Sequence, residues 1–349
     1  MMLNYSEYFI SNSDTIEQAL AKLNVLSENT VLFVINEQNQ LLGSLTDGDI
    51  RRGLLNGKSI NNDVLSISNR NPHFIYDKKY DIEQLISYRE KNYKLIPVLD
   101  FQNKIVNIIS FKETHSILPI DVIIMAGGKG QRLLPLTLTT PKPLLNVGGK
   151  PILLRNIDRL IKFGVSNIWI SVNYLGEQIV EYFESLIDYS DKIRYIYEDK
   201  ELGTIGAASN VKHFNHDYVL ITNSDLLTNI DYENFFIDFI NNNADFSVVA
   251  VPYEINVPYA IIESQNNRII SFKEKPNYTF YANAGIYLMK REIIDFIPIN
   301  EHFNATDLIE LLVKKGKNVI SYNFLDYWLD IGKPEDFQKA QMDINKIKF

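Results

Sequence analysis

From Val122 onward the chain alternates between two periodicities. Apolar runs of strand length, "VIIMAG", "NIWISVN", "DYVLITNSD" and "DFSVVAVP", are separated by stretches whose apolar residues recur at helical spacing, "ILLRNIDRLIKFG", "EQIVEYFESLI" and "YENFFIDFI". Strands that are apolar throughout must be covered on both faces, and helices are the natural connection between parallel neighbours. The pattern predicts an α/β domain whose mainly parallel sheet lies between two layers of helices. Towards the end, "YAIIESQNNRIISFKEKP" reads as a hairpin, "NATDLIELLVKKGK" as a capped helix, and "PEDFQKAQMDINK" as a closing helix with proline in its first turn.

The residues before Val122 follow another rule. "VLFVINEQNQLLGSLTDGDIRRGLLNG" and "LIPVLDFQNKIVNIISFKE" each hold an apolar strand, a polar turn (Glu37 to Gln40, Asp100 to Asn103) and a second apolar strand. A helical stretch precedes each, "TIEQALAKLN" and "DIEQLISYREKN". Two copies of one unit predict a tandem α+β module over residues 1–117, which leaves 118–349 to the α/β domain.

Composition narrows the function. At 349 residues and 46% hydrophobic the chain can fill two cores. The absence of cysteine excludes disulfides, thiolate catalysis and thiolate-bound metal, and suits a reducing compartment. A formal net charge of -8 with no basic patch predicts no nucleic-acid partner. The opening "MMLNYSEYFISNSD" lacks the cationic and apolar regions of a secretory leader, and no apolar run approaches the roughly 20 residues of a membrane helix. The expectation is a cytoplasmic protein with no membrane partner. The five histidines form no ligand cluster, and His213 and His216 read as surface residues.

One stretch concentrates the chemistry: "VIIMAGGKGQRLLPLTLTTPKPLLNVGGKPIL". The loop after the first strand of a doubly wound sheet lies at the carboxyl edge, where ligands bind. Gly127, Gly128 and Gly130 there let backbone N–H groups approach a polyanion, and Arg132 supplies a guanidinium to pair its charge. A dinucleotide fingerprint is excluded because Leu133 stands where its third glycine is required, and neither Gly128-Lys129-Gly130 nor Gly149-Lys150-Pro151 completes a Walker loop. For the glycines alone, a phosphate cradle and a ligand-free turn are equally good readings.

With its neighbours, the stretch resembles the signature of the sugar-1-phosphate nucleotidylyltransferases. "AGGKGQRLLPLT" and "PKPLLNVGGKPIL" are followed, in family order, by "ELGTIGAA", "ITNSDLL", "FKEKP", "NAGIY" and "YWLDIGKPEDF". The resemblance covers residues 121–349 and implies a Rossmann-like domain of the nucleotide-diphospho-sugar transferase type. Its reaction is attack by a sugar-1-phosphate oxygen on the α-phosphorus of a nucleoside triphosphate, with Mg²⁺ present and pyrophosphate leaving. It implies that Ala126, Gly127, Gly128, Gly130, Gly203, Thr204 and Gly206 hold the nucleotide and that Arg132 and Lys142 reach its phosphates. Asp225 and Asp330 would hold Mg²⁺, Lys275 would neutralise the sugar phosphate, and Glu274, Asn283 and Gly285 would meet the sugar.

Two anions must be brought together in such a reaction, so catalysis is mostly positioning and neutralisation, and no protein nucleophile is needed. Taken singly, an aspartate after a strand is a turn former, "KEK" a solvated hairpin end and "NAG" an ordinary turn. Gln131, Ser224 and Lys333 depart from the family's usual threonine or serine, glycine and threonine. "LGTIGAA" resembles guanylyltransferase loops and predicts GTP, with UTP, CTP and dTTP as the alternatives. These residues leave the sugar open among glucosamine, mannose and heptose derivatives, and the product would feed glycan or surface-polysaccharide synthesis.

The front repeats resemble a tandem CBS regulatory module, most specifically in "GSLTDGDIRRGLL". The resemblance implies that Thr46 and Asp49 hold the ribose of an adenine nucleotide, while "NIISFKETH" in the second repeat lacks the matching aspartate. Ligand sensing and simple dimerisation are equal readings of the module, and a homo-oligomer is expected. The competing class is a non-catalytic nucleotide-sensing regulator built on a dead transferase fold.

Overall fold

The computed structural model describes residues 5–26, 31–77 and 81–347. They fall into two compact units, Met1–Ile117 and Leu118–Phe349.

The first unit is a doubled structure. One three-stranded sheet pairs Phe9–Ser11 in parallel with Val31–Ile35, which pairs antiparallel with Leu41–Thr46. The other repeats this with Ile75–Tyr76, Leu95–Leu99 and Ile105–Ser110. The helices Ile16–Val25 and Ile82–Glu90 make the two crossovers. The first of them starts in a capping box in which Thr15 and Gln18 satisfy each other's backbone N–H groups. Asn39 and Asn103 sit at the same place in the two copies, both with left-handed backbone. Leu41 N donates to the Asn103 carbonyl at 2.9 Å and Ile105 N to the Asn39 carbonyl at 3.2 Å, so the two turns are locked to each other. Phe33 packs with Leu95 and Ile108 across the same seam. The copies diverge after the last strand, where helix Asp47–Leu55 follows only the first.

The second unit is built on a seven-stranded sheet. In spatial order its strands are Ile193–Tyr197, Ile168–Val172, Ile120–Met125, Tyr218–Asn223, Asn277–Lys290, Phe246–Asn256 and Val319–Asn323. The first four run parallel, Asn277–Lys290 runs antiparallel to both neighbours, and Val319–Asn323 lies parallel to Phe246–Asn256. Ile123, Val219, Ile221, Phe246, Tyr287, Leu308 and Leu312 form the largest core cluster, with side chains from both strands and the helix Ala305–Lys314. Fully apolar strands thus find the cover they require. Among the described residues no helix is long and apolar enough to cross a membrane.

A carboxylate is buried inside this sheet. Asp121 is fully inaccessible, accepting from the His216 N–H at 2.9 Å, from the His216 ring and from Asn167. Burial by itself would raise its pKa, but the hydrogen bonds from the His216 ring, Asn167 and the His216 backbone outweigh it and hold the carboxyl below its usual range. The reading of His216 as an idle surface residue is corrected here: its ring is the cap on a buried carboxylate.

A depressed pKa contributes stability above the ordinary carboxylate value, and that stability is lost as pH falls through the folded one. Asp121→Ala should therefore lower the melting temperature by about 4–8 °C at pH 7, the equivalent of about 2 kcal/mol. The gap to wild type should narrow below about pH 4, which calorimetry across that range will test.

Candidate active site

Four parallel strands end at one edge, and each delivers polar groups there. Ile120–Met125 leads into Ala126 and the glycines, Ile168–Val172 into Asn173, Ile193–Tyr197 into Glu198, and Tyr218–Asn223 into Ser224 and Asp225. Between them lies a cavity of about 660 Å³, within the range of small-molecule sites.

Each glycine of the loop has a separate reason. A Cβ on Gly127 would stand 2.9 Å from Glu198 Oε1, so only glycine allows the carboxylate to close against the loop. Gly130 has left-handed backbone and lies against Thr137 and Lys142. A Cβ on Gly128 would meet no protein atom within 4 Å; its bare backbone faces the cavity. Lys129, between them, bonds Glu201 Oε1 at 2.8 Å across the cavity rim.

The two aspartates meet through a small ladder rather than through the main sheet. Leu226–Thr228 pairs antiparallel with Trp328–Asp330, with Leu226 opposite Asp330, and Ile331 N donates to the Asp225 carbonyl at 3.1 Å. Lys142 is carried between two buried prolines, Pro141 and Pro143. Its ammonium bonds Asp225 Oδ2 and lies 3.9 Å from Asp330 Oδ1. Arg132, on the turn Gln131–Leu133, packs its guanidinium on Gly332, two residues beyond Asp330.

Burial first, and then the charge of Asp225, push the Asp330 carboxyl above its usual range, with Lys142 and Arg132 pulling the other way. Asp225 Oδ1 and Asp330 Oδ1 are both buried without a hydrogen-bond partner. Two orphaned carboxylate oxygens beside each other fit a hard divalent cation such as Mg²⁺, which takes oxygen ligands and fills its other positions with water or phosphate. Among the described residues there is no cluster of three or more histidines and carboxylates that could hold a metal ion.

The cavity wall brings together Ala126, Gly127, Gly128, Gly130, Arg132, Lys142, Gly203, Thr204 and Asp225. Asp330 joins them through Lys142. Gly206 stands behind the wall: its Cα packs on the Glu301 carbonyl at the start of the turn Gly206–Asn210. Gly285 lies against the side chain of Asn223, itself a wall residue. Asn283 is turned to its own strand, donating to the Tyr287 hydroxyl and accepting from Gly285 N, both at 2.9 Å. Glu274 and Lys275 are exposed and line no part of the cavity.

Sequence reasoning passed over Glu198, which also lines the cavity. Its Oε1 accepts from Ser171 Oγ and its Oε2 from Leu202 N at 3.1 Å. The available signal was its position, directly after an apolar strand and five residues before Gly203.

In the first unit Thr46 and Asp49 form a capping box at the start of helix Asp47–Leu55. Thr46 Oγ donates to Asp49 Oδ2 at 2.6 Å, and Arg52 holds Asp49 Oδ1 at 2.6 Å. The pair expected to hold a ribose is thus engaged with itself and with Arg52.

Comparison with known proteins bears on both units. The nucleotidyl transferase family model matches residues 121–347 and the CBS domain model residues 6–56. The bifunctional protein GlmU of Methanococcus aeolicus is 35% identical over 235 residues, 65% of this chain and 55% of the relative. A mannose-1-phosphate guanyltransferase of Debaryomyces hansenii is 31% identical over 225 residues, 62% of either chain. The chain therefore spans between half and two thirds of the length of these relatives. Among solved structures, HddC of Yersinia pseudotuberculosis superposes with a TM-score of 0.51 at 28% identity, covering 64% of this chain and 99% of that one, and the same protein has been solved with GMP-PN. A putative glucose-1-phosphate thymidylyltransferase of Bacillus anthracis shares the fold, with a TM-score of 0.54 at 24% identity over 66% of this chain and 97% of that one.

Because burial and the charge of Asp225 both disfavour a charged Asp330, Asp330→Asn should melt no lower than wild type and gain roughly 1–3 °C. A melting curve several degrees lower would show that the carboxylate is a structural strut instead.

Proposed function

The chain belongs to the nucleotidyl transferase family, and from that premise we propose that it joins a nucleoside triphosphate, GTP by preference, to a sugar-1-phosphate and releases pyrophosphate. The observation that carries this reading is the convergence of Lys142, Arg132, Asp225 and Asp330 beside a loop of bare backbone. A sugar-phosphate oxygen forms the new bond to the α-phosphorus while the bond to the pyrophosphate oxygen breaks. Lys142 leaves Asp225 to meet phosphate oxygens, and Arg132 holds the departing negative charge. The backbone of Gly127, Gly128 and Gly130 orients the triphosphate. Asp225 and Asp330 would hold Mg²⁺, which when bound shields the charge on the phosphates.

The preference for GTP rests on Glu198. Each of its oxygens already has one protein donor and retains capacity for another. Guanine offers two adjacent donors, N1–H and the exocyclic amino group, which match a carboxylate held edge-on. Uracil and thymine offer one donor flanked by two carbonyl acceptors, and those would face the carboxylate's lone pairs. The relatives named as guanylyltransferases and the HddC complex with GMP-PN agree with this reading. On this view the CBS unit binds an adenine nucleotide only if Arg52 releases Asp49.

Pyrophosphate release, measured with each nucleoside triphosphate, Mg²⁺ and a panel of sugar-1-phosphates, tests the reaction; no release with any pair would refute it. Asp225→Asn and Asp330→Asn should each lower turnover by orders of magnitude, and Mg²⁺ should raise the melting temperature of wild type more than of either variant.

Glu198→Gln should cut kcat/KM for GTP about 10–100-fold, the worth of a hydrogen bond to a charged group, and narrow the gap to UTP. An unchanged base preference in that variant would remove Glu198 from base recognition.

A further inference from the structure

Three carboxylates among the described residues line the cavity: Glu198, Glu201 and Asp225. On the reading above, Glu198 serves the base and Asp225 the metal, but Glu201 has no part in the reaction. A negative charge at the mouth of a site that must admit a polyanion weakens binding. What Glu201 does in the structure is hold Lys129, at 2.8 Å.

The two partners come from loops that the strand Ile168–Val172 separates in the sheet, Lys129 after Ile120–Met125 and Glu201 after Ile193–Tyr197. Lys129 stands between Gly128, whose bare backbone faces the cavity, and Gly130. An ammonium has three donors, and one carboxylate oxygen takes one of them. The backbone around Glu201 is fixed: Glu198 N donates to the Val172 carbonyl at 3.0 Å, Leu202 N to Glu198 Oε2 at 3.1 Å, and Phe303 N to the Leu202 carbonyl at 3.0 Å. On the other side, Leu133 N and Thr137 Oγ both donate to the Gly130 carbonyl at 2.9 Å. Neither loop has to move for the pair to part; two side chains do. Those side chains are 48% and 66% exposed, so the carboxylate returns to water at little cost. The hydrogen bond to Glu201 first, and then its charge, raise the Lys129 ammonium above its usual range, and the same two contacts hold the Glu201 carboxyl below its own.

We propose that Lys129 is a triphosphate-binding residue and that Glu201 is the counter-ion it exchanges for phosphate oxygens when a nucleotide enters. This rests on the reading of the cavity as a nucleoside triphosphate site. A triphosphate brings more charge and more acceptor oxygens than one exposed carboxylate, so the exchange runs toward the nucleotide. Lys142 and the two aspartates serve the reacting first phosphate, and Lys129 takes those beyond it. A nucleotide without those phosphates leaves Lys129 with Glu201. The pair therefore sets how strongly the site prefers a triphosphate to a monophosphate.

Calorimetric titration of the full-length protein with GTP and with UTP, each against its monophosphate, with Mg²⁺ and no sugar phosphate, reads the exchange apart from catalysis. Lys129→Met should weaken triphosphate binding about 10-fold and leave the monophosphate unchanged, which also shows that the variant is folded. Glu201→Gln should tighten the triphosphate about 2–5-fold. A carboxylate that merely repelled phosphate would give that second result too, so the double variant decides between them. On the background of Lys129→Met, Glu201→Gln should add nothing. A further gain there would overturn the proposal, and so would equal losses of triphosphate and monophosphate in Lys129→Met. Triphosphate affinity unchanged in both single variants, with pyrophosphate still released, would sink the exchange alone. The expected pattern without pyrophosphate release would remove the transfer reaction and leave the exchange standing. A wild type that binds neither triphosphate would end both.

Discussion

Two carboxylates side by side, held by one ammonium, are the constraint around which the second unit is arranged. Asp225 and Asp330 are brought together by the ladder of Leu226–Thr228 and Trp328–Asp330, and Lys142 lies between them. Burial first, and then the charge of Asp225, favour the protonated form of Asp330, whose carboxyl is pushed upward. Such an arrangement is costly in a resting protein and useful in one that handles polyphosphate, because cation and carboxylates can exchange partners as phosphate enters. Much of the surrounding structure keeps the three groups in reach. Pro141 and Pro143 stiffen the backbone of Lys142, Gly130 lets the loop close on its Cβ, and Gly332 leaves room for Arg132.

The architecture was legible in the sequence because the forces that build it are periodic. Apolar runs of strand length and stripes of helical spacing report which faces are buried, and burial sets the sheet and its cover. The doubling of the front module was legible for the same reason, down to the turns at Asn39 and Asn103. What periodicity does not encode is the partner of an individual polar group. His216 read as surface, since nothing local announces that a buried carboxylate ninety-five positions earlier needs its N–H and ring. Glu198 was missed likewise: an acid after a strand carries no mark of the glycine it closes upon.

The site was legible in part, and the division is physical. Residues on the loops that leave the parallel strands, such as Gly127, Gly128 and Arg132, meet in one cavity because the carboxyl ends of those strands share an edge. Thr46 and Asp49 are near each other for a local reason, a helix start that satisfies its own N–H groups, so their proximity carries little information about a ligand. Glu274 and Lys275 sit in the short turn between Lys273 and Asn277, away from the strand ends that build the cavity.

Lys275 has left-handed backbone in the short turn between Lys273 and Asn277, so its place depends on how the strands on either side are held. Inside the sheet, Tyr287, Leu288 and Met289 pair with strands on both sides; beyond it, Tyr278 and Phe280 have a neighbour on one side only. A turn supported by one such pairing is among the first segments of a fold to open.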